Sequence, residues 1–205
     1  MSEGAATLSH MPSQDLEDLV RLFMEWPGLS VDLLGWCGVE PPAFTEARNE
    51  QGHVLEAGAP GYHADVVTVL RDQGRAVLVV VIEVQLSPDA RKRYRWPLYQ
   101  AGLANHFECP VELLVVSLEG ATPTWVHRVI GLMREDQRVP LSLVDAEVPE
   151  ITDLDEAKRS PVRAIFSAVW HGKRAPSARG RRESPTRPCR HPWGSRASRG
   201  LYIRD

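Results

Sequence analysis

Apolar residues recur along the chain with two different periods, and the alternation between them outlines the fold. Leu16, Leu19, Val20, Phe23 and Met24 fall at three- and four-residue spacing, which puts them on one face of a helix. Ser13 as the N-cap and Trp26-Pro27 as the stop bound that helix to Ser13–Glu25. A second, shorter helix is expected over Ser30–Cys37, ended by Gly38 in the left-handed conformation. Residues Phe44–Ala57 are mixed and read as a strand or strand pair interrupted at Gln51-Gly52. Two runs then follow, HADVVTVL (His63–Leu70) and AVLVVVIEVQL (Ala76–Leu86), separated by the turn-like Asp72-Gln73-Gly74-Arg75. This pattern predicts a β-hairpin. Its second strand is apolar at every position from Val77 to Ile82, as expected of a central strand covered on both faces.

Beyond the hairpin, Ser87-Pro88 resembles an N-cap with proline at the first helical position, so a helix is expected from there to Phe107, kinked near Pro97. VELLVVSL (Val111–Leu118) is a buried strand by the same reading as the hairpin. Trp125–Leu132 and Pro140–Val144 read as further strands extending the sheet edge. Ser160-Pro161 opens a last helix with Val162, Ile165, Phe166, Val169 and Trp170 along one stripe and Gly172 at its cap. Strand pair, long helix and strand together predict an α/β fold, an α+β sandwich with a central mixed sheet flanked by helices, one of which covers a face. The expected organisation is a flexible stretch over 1–12, a single domain over 13–171 and a tail over 172–205.

Composition separates the tail from the body. Of the 24 Lys and Arg and 27 Asp and Glu in the 205 residues, ten and two lie in 172–205, which leaves 14 basic and 25 acidic residues in the rest. The tail is rich in Arg, Ser, Pro and Gly, lacks hydrophobic periodicity and is expected to be disordered. The first 14 residues contain no apolar run of leader type, and no stretch has the length to span a bilayer, so a cytoplasmic protein without a membrane partner is expected. Cys37, Cys109 and Cys189 are far apart with no CxxC pair, which argues against a zinc cluster and a disulfide framework.

The candidate chemistry lies in the hairpin. If it folds symmetrically about Gly74, paired residues have numbers totalling 148, and Asp65 stands opposite Glu83. Directly opposed carboxylates are destabilising unless a cation lies between them, and an ionised carboxylate at the end of a buried strand needs a partner. Gln85, two residues on, emerges on the same face as Glu83, while Val84 points into the opposite layer. A slip of one residue would turn Glu83 to the other face. The alternative reading is an acid at each strand end reaching solvent.

Asp65, seventeen intervening residues, IEVQ ending in Gln85 and the following RKRYRWPLY resemble the PD-(D/E)XK nuclease superfamily, and within it the transposase-associated, recombination-promoting branch, which often has Gln in place of the motif Lys. The resemblance spans roughly residues 46–119. It implies a restriction-endonuclease-like core, Mg²⁺ or Mn²⁺ held by Asp65, Glu83 and the Val84 carbonyl, a catalytic set of Asp65, Glu83 and Gln85, and hydrolysis of a DNA phosphodiester. His63-Ala64 replaces the proline side of the name-giving dipeptide, and Gln85 cannot supply positive charge to a developing phosphorane. Arg91, Lys92, Arg93 and Arg95, with Tyr94 among them, crowd the next helix, where they could neutralise DNA phosphates and provide part of the missing lysine's charge. The plain alternative for these four is a solvated helical face, and core packing for Tyr94 and Tyr99. Glu46, Glu50 and Glu56 are candidate upstream acids, and His63 a weaker candidate base. Two functions compete: a metal-dependent DNA endonuclease, with a homodimer as a candidate assembly, and a catalytically inactive nuclease-fold module for nucleic-acid binding or regulation. The basic tail is a further candidate for anchoring to nucleic acid by counterion release.

Overall fold

The longest apolar run in the chain becomes the middle of its sheet. The computed structural model describes residues 12–50, 64–117, 122–133, 140–143 and 148–172. In chain order the elements are α1 (Pro12–Glu25), α2 (Gly28–Trp36), β1 (Glu46–Asn49), β2 (Val66–Asp72), β3 (Arg75–Val84), α3 (Lys92–Phe107), β4 (Val111–Val116), α4 (Thr122–Gly131), β5 (Leu141–Leu143), α5 (Leu154–Arg159) and α6 (Pro161–Gly172). The strands lie side by side in sequence order. β1, β2 and β3 run antiparallel, whereas β3–β4 and β4–β5 are parallel. The protein is therefore a mixed five-stranded α/β fold with β3 at its centre, and among the described residues no helix is long and apolar enough to cross a membrane.

Alternation along β2, β3 and β4 supplies two cores rather than one. Val66, Leu70, Leu78, Val80, Ile82, Val84, Leu114 and Val116 pack with Leu19, Phe23, Leu29, Leu33, Phe166 and Trp170 of α1, α2 and α6. Val67, Val69, Val79, Val81, Val111, Leu113 and Val115 pack with Trp96, Tyr99 and Leu103 of α3 and with Val126 and Val129 of α4. Helices thus cover both faces of the sheet, which explains why β3 carries apolar residues on both sides. Each such residue buried from water contributes about 1.5–3 kcal/mol.

Several expected elements shift. The first helix already includes Pro12, so Ser13 lies inside it and is not its cap. The second starts at Gly28 with Pro27 before it, and Gly38 does take positive φ (74°). Of the mixed Phe44–Ala57 region, Glu46–Asn49 forms β1, and residues 51–63 lie outside the described set. The helix expected from Ser87-Pro88 begins only at Lys92. Asp89 intervenes: its carboxylate accepts the Arg91 N–H at 3.0 Å and its carbonyl the Lys92 N–H at 3.0 Å, forming a turn ahead of the helix. Trp125–Leu132 is not a strand. Its residues up to Gly131 belong to α4, where buried Val126 and Val129 and half-buried Ile130 recur at helical spacing. Its valines and isoleucine favour strands locally, but packing on the sheet decides the outcome. Pro140–Val144 contributes the edge strand β5, and a short helix, α5, precedes α6 with Asp153 capping it through a 2.7 Å bond from the Glu156 N–H. The tail after Gly172 lies outside the described residues.

The turn of the hairpin is tighter than a symmetric fold about Gly74 requires. Asp72 pairs with Arg75, and Gln73 and Gly74 both have positive φ, 48° and 81°, as a type I′ turn demands. A Cβ at Gly74 would meet no atom within 4 Å, so Gly74→Ala should cost only its backbone conformation, about 1 kcal/mol. Urea denaturation of the variant checks this. A loss well beyond 2 kcal/mol would mean that Gly74 has a packing role.

Candidate active site

The register of β2 against β3 decides whether the two carboxylates meet. Next to the turn, Arg71 pairs with Ala76, but Leu70 pairs with Leu78, so Val77 is an extra residue, a β-bulge. From Leu70↔Leu78 to Val66↔Ile82 the paired numbers total 148. Continuing this register by one residue places Asp65 opposite Glu83. The Glu50 N–H donates to the Val67 carbonyl at 2.9 Å, so the backbone of Val67 points to β1. The alternation then makes 67/81 and 65/83 positions without mutual backbone bonds, where opposed side chains come closest. Val67, Val69, Val79 and Val81 all face α3. By the same alternation, Asp65, Glu83 and Gln85 face it too.

Each member of the set is held differently. Asp65 stands just before β2, and its Oδ2 accepts the Val84 N–H at 2.7 Å, continuing the ladder with a side chain where the strand has ended. The N–H and C=O of a strand residue leave on the same side, so the Val84 carbonyl also lies on the Asp65 side. Glu83 is 0% exposed. Its Oε2 receives the Lys92 ammonium at 2.5 Å, and its Oε1 is buried with no hydrogen-bond partner among the described residues. Lys92 is the first residue of α3, so the turn at Asp89 sets where its ammonium reaches. Gln85 is 7% exposed, and its amide nitrogen donates to the Ser87 carbonyl, tying down the loop that leads to α3.

Two carboxylates beside one ammonium leave an excess of buried negative charge. Burial, followed by repulsion from Asp65, pushes the Glu83 carboxyl up to about 7, against the pull of Lys92 and of the nearby Trp96 indole N–H. Burial also raises Asp65, outweighing its bond from the Val84 N–H and the attraction of Lys92. A hard divalent cation would relieve both. It would find two carboxylates, one with a free buried oxygen, and a carbonyl oriented to the same side, a sparse set of the kind Mg²⁺ accepts while keeping several waters. Among the described residues no three His, Cys, Asp or Glu side chains gather at one point, so the remaining ligands would be water and substrate.

Of the four basic residues singled out in the sequence, Lys92 alone joins the carboxylates. Arg91 turns to Asp89, with Nε at 3.0 Å, and Arg95 lies 3.9 Å from the same carboxylate. These contacts, led by the Arg91 hydrogen bonds, hold Asp89 below the usual carboxylate range. Arg93 lies over the Tyr94 ring at 4.4 Å and bonds its hydroxyl, with Tyr94 61% exposed. Tyr94 is thus a surface residue, whereas Tyr99 is in the core. Glu50 pairs with Arg71 at 2.9 Å and Glu46 lies 3.7 Å from Arg48, so neither joins the site. Glu56 and His63 lie outside the described residues.

Two neighbours were not singled out in the sequence. Trp96 sits one helical turn after Lys92, is 0% exposed and packs edge-on to Trp125 at 6.3 Å. The four-residue spacing from Lys92 could have indicated it. Ser117 follows β4 next to Gln85, whose N–H donates to the Val116 carbonyl at 2.8 Å. It shares the face of Val115, and its hydroxyl is buried without a partner among the described residues. A serine closing an apolar strand two positions after a core valine is the only trace it leaves in the sequence. In comparison with known proteins, the chain matches no family model, no curated protein and no solved structure.

Proposed function

We propose that this protein is a divalent-metal-dependent DNA endonuclease of the PD-(D/E)XK type, with a restriction-endonuclease-like core. The observation that carries the reading is the meeting of Asp65, Glu83 and Lys92 at the end of the central strand, with Glu83 fully buried. A structural ion pair would need one carboxylate. A second one opposite it raises the energy of the folded protein, and a metal site gives it a purpose.

Asp65, Glu83 and the Val84 carbonyl are the ligands for Mg²⁺ or Mn²⁺. Once bound, the ion supplies a water of lowered pKa and polarises the phosphoryl oxygen. Lys92 provides the positive charge that Gln85 lacks, from the helix rather than from the strand. Gln85 fixes the loop through Ser87 and so positions Lys92. Arg93 and the exposed Tyr94 lie on the outer surface of the same helix and would meet the DNA backbone, by phosphate contact and stacking.

Supercoiled-plasmid nicking with Mg²⁺ or Mn²⁺ tests the reading. Asp65→Ala and Glu83→Ala should each lower the rate by more than about 100-fold while remaining folded, and Gln85→Lys should raise it. A second reading, a nuclease-fold module without catalysis, draws on the Gln85 amide being engaged with Ser87. It predicts no nicking by any variant, together with DNA binding that does not depend on metal.

A further inference from the structure

The cation already paired with Glu83 has a consequence for metal binding. Glu83 offers two oxygens. One holds Lys92 at 2.5 Å and the other is buried without a partner among the described residues. The Lys92 side chain is 17% exposed, so it is not sealed in the core with the carboxylate it pairs with. A flexible four-carbon stem lets it leave by rotation about its own bonds. No other Lys or Arg of the basic cluster is in place to follow it, because Arg91 and Arg95 are on Asp89 and Arg93 is on Tyr94.

Resting on the nuclease reading, we propose that Lys92 is an internal counter-cation that competes with the divalent ion for Glu83, and that metal entry releases its ammonium toward the substrate phosphate. The charge balance favours the competition. Asp65 and Glu83 carry two negative charges when ionised and Lys92 one positive charge. A dication added beside a retained ammonium leaves the pocket with a net positive charge and two cations in close repulsion, whereas displacement leaves it neutral. Lys92 then has two successive roles, stabilising the metal-free fold and afterwards presenting charge to the substrate. In the metal-free protein the ammonium would offset the repulsion between the two carboxylates, and substrate would encounter a free ammonium only at a loaded site.

The experiment is Mn²⁺ binding by calorimetry on the full chain, for wild type, Lys92→Met and Lys92→Arg, with folding checked by circular dichroism. Removing the competitor should tighten the Mn²⁺ dissociation constant at least about tenfold in Lys92→Met, while Lys92→Arg, which keeps the charge, should stay within about threefold of wild type. A measurement on wild type needs no variant to fold: the Lys92 side-chain ammonium signal, followed by NMR during titration with diamagnetic Mg²⁺, should lose its ion-paired shift as the site saturates. If wild type binds metal but Lys92→Met binds it no more tightly, or the Lys92 signal does not move at saturation, the competition is wrong and the nuclease reading stands. If folded wild type binds neither ion, the nuclease reading fails and the competition falls with it.

Discussion

Glu83→Gln is expected to lose metal-dependent nicking by more than about 100-fold and yet to be more stable than wild type at pH 8. The two effects have one origin. Glu83 is raised from its ordinary 4.5 to about 7 by burial and by Asp65. Between these pH values the folded protein holds a proton that the unfolded chain has released, so stability falls as pH rises through this window. Above pH 7 the loss reaches roughly 3 kcal/mol. Glutamine has no proton to release and does not repel Asp65, and the Lys92 attraction that it gives up is already counted in the value of about 7. The expectation is a gain of about 2–3 kcal/mol at pH 8 that disappears by pH 4, read from urea denaturation at both pH values. A variant less stable than wild type at pH 8 would show that the Lys92 pair outweighs the buried charge. For the same reason metal affinity in wild type should increase with pH through about 7, with proton release on binding.

Trp96→Ala is expected to cost about 3–5 kcal/mol, the largest loss from any single side chain next to the site. The indole is completely buried between α3, the sheet and Trp125, and its removal leaves a cavity that the surrounding valines cannot fill. Trp96→Phe separates packing from chemistry. Most of the volume remains, so stability should change by less than about 2 kcal/mol, but the indole N–H, close to Glu83 without making a hydrogen bond among the described residues, is gone. The Glu83 carboxyl should then move further up, and the pH midpoint of Mn²⁺ binding should rise with it. Urea denaturation and a pH series of calorimetric titrations provide the two readouts. An unchanged midpoint in Trp96→Phe would assign the indole to packing alone.

The site was legible in the sequence to the extent that it depends on period. Glu83 and Gln85 on one face and Val84 on the other follow from alternation alone, and the all-apolar run before them indicated a central strand. The opposition of Asp65 and Glu83 also holds, but it is reached by another route. The turn is centred between Gln73 and Gly74 rather than on Gly74, and a regular hairpin from that turn would pair Asp65 with Ile82, on the other face. The Val77 bulge inserts the one residue that restores the register. Val77 packs against the core formed with α1, α2 and α6, so the bulge is stabilised by helices remote in sequence. Lys92 was visible only as one of four similar charges, since its selection depends on the helix starting at Lys92 rather than at Ser87.

What the sequence determined by itself is local: which stretches alternate, where the chain can turn at positive φ, and which strand is apolar on both faces. These follow from covalent geometry and from the exclusion of apolar groups from water, and neighbouring residues suffice to specify them. Tertiary structure decided the rest. It turned Trp125–Gly131 into a helix, because the sheet's second face needed a cover with helical spacing. It fixed the parity of the hairpin through a bulge, and it selected one ammonium out of four to meet Glu83. Each of these is a choice between arrangements of nearly equal local energy, and only the packing of distant segments separates them.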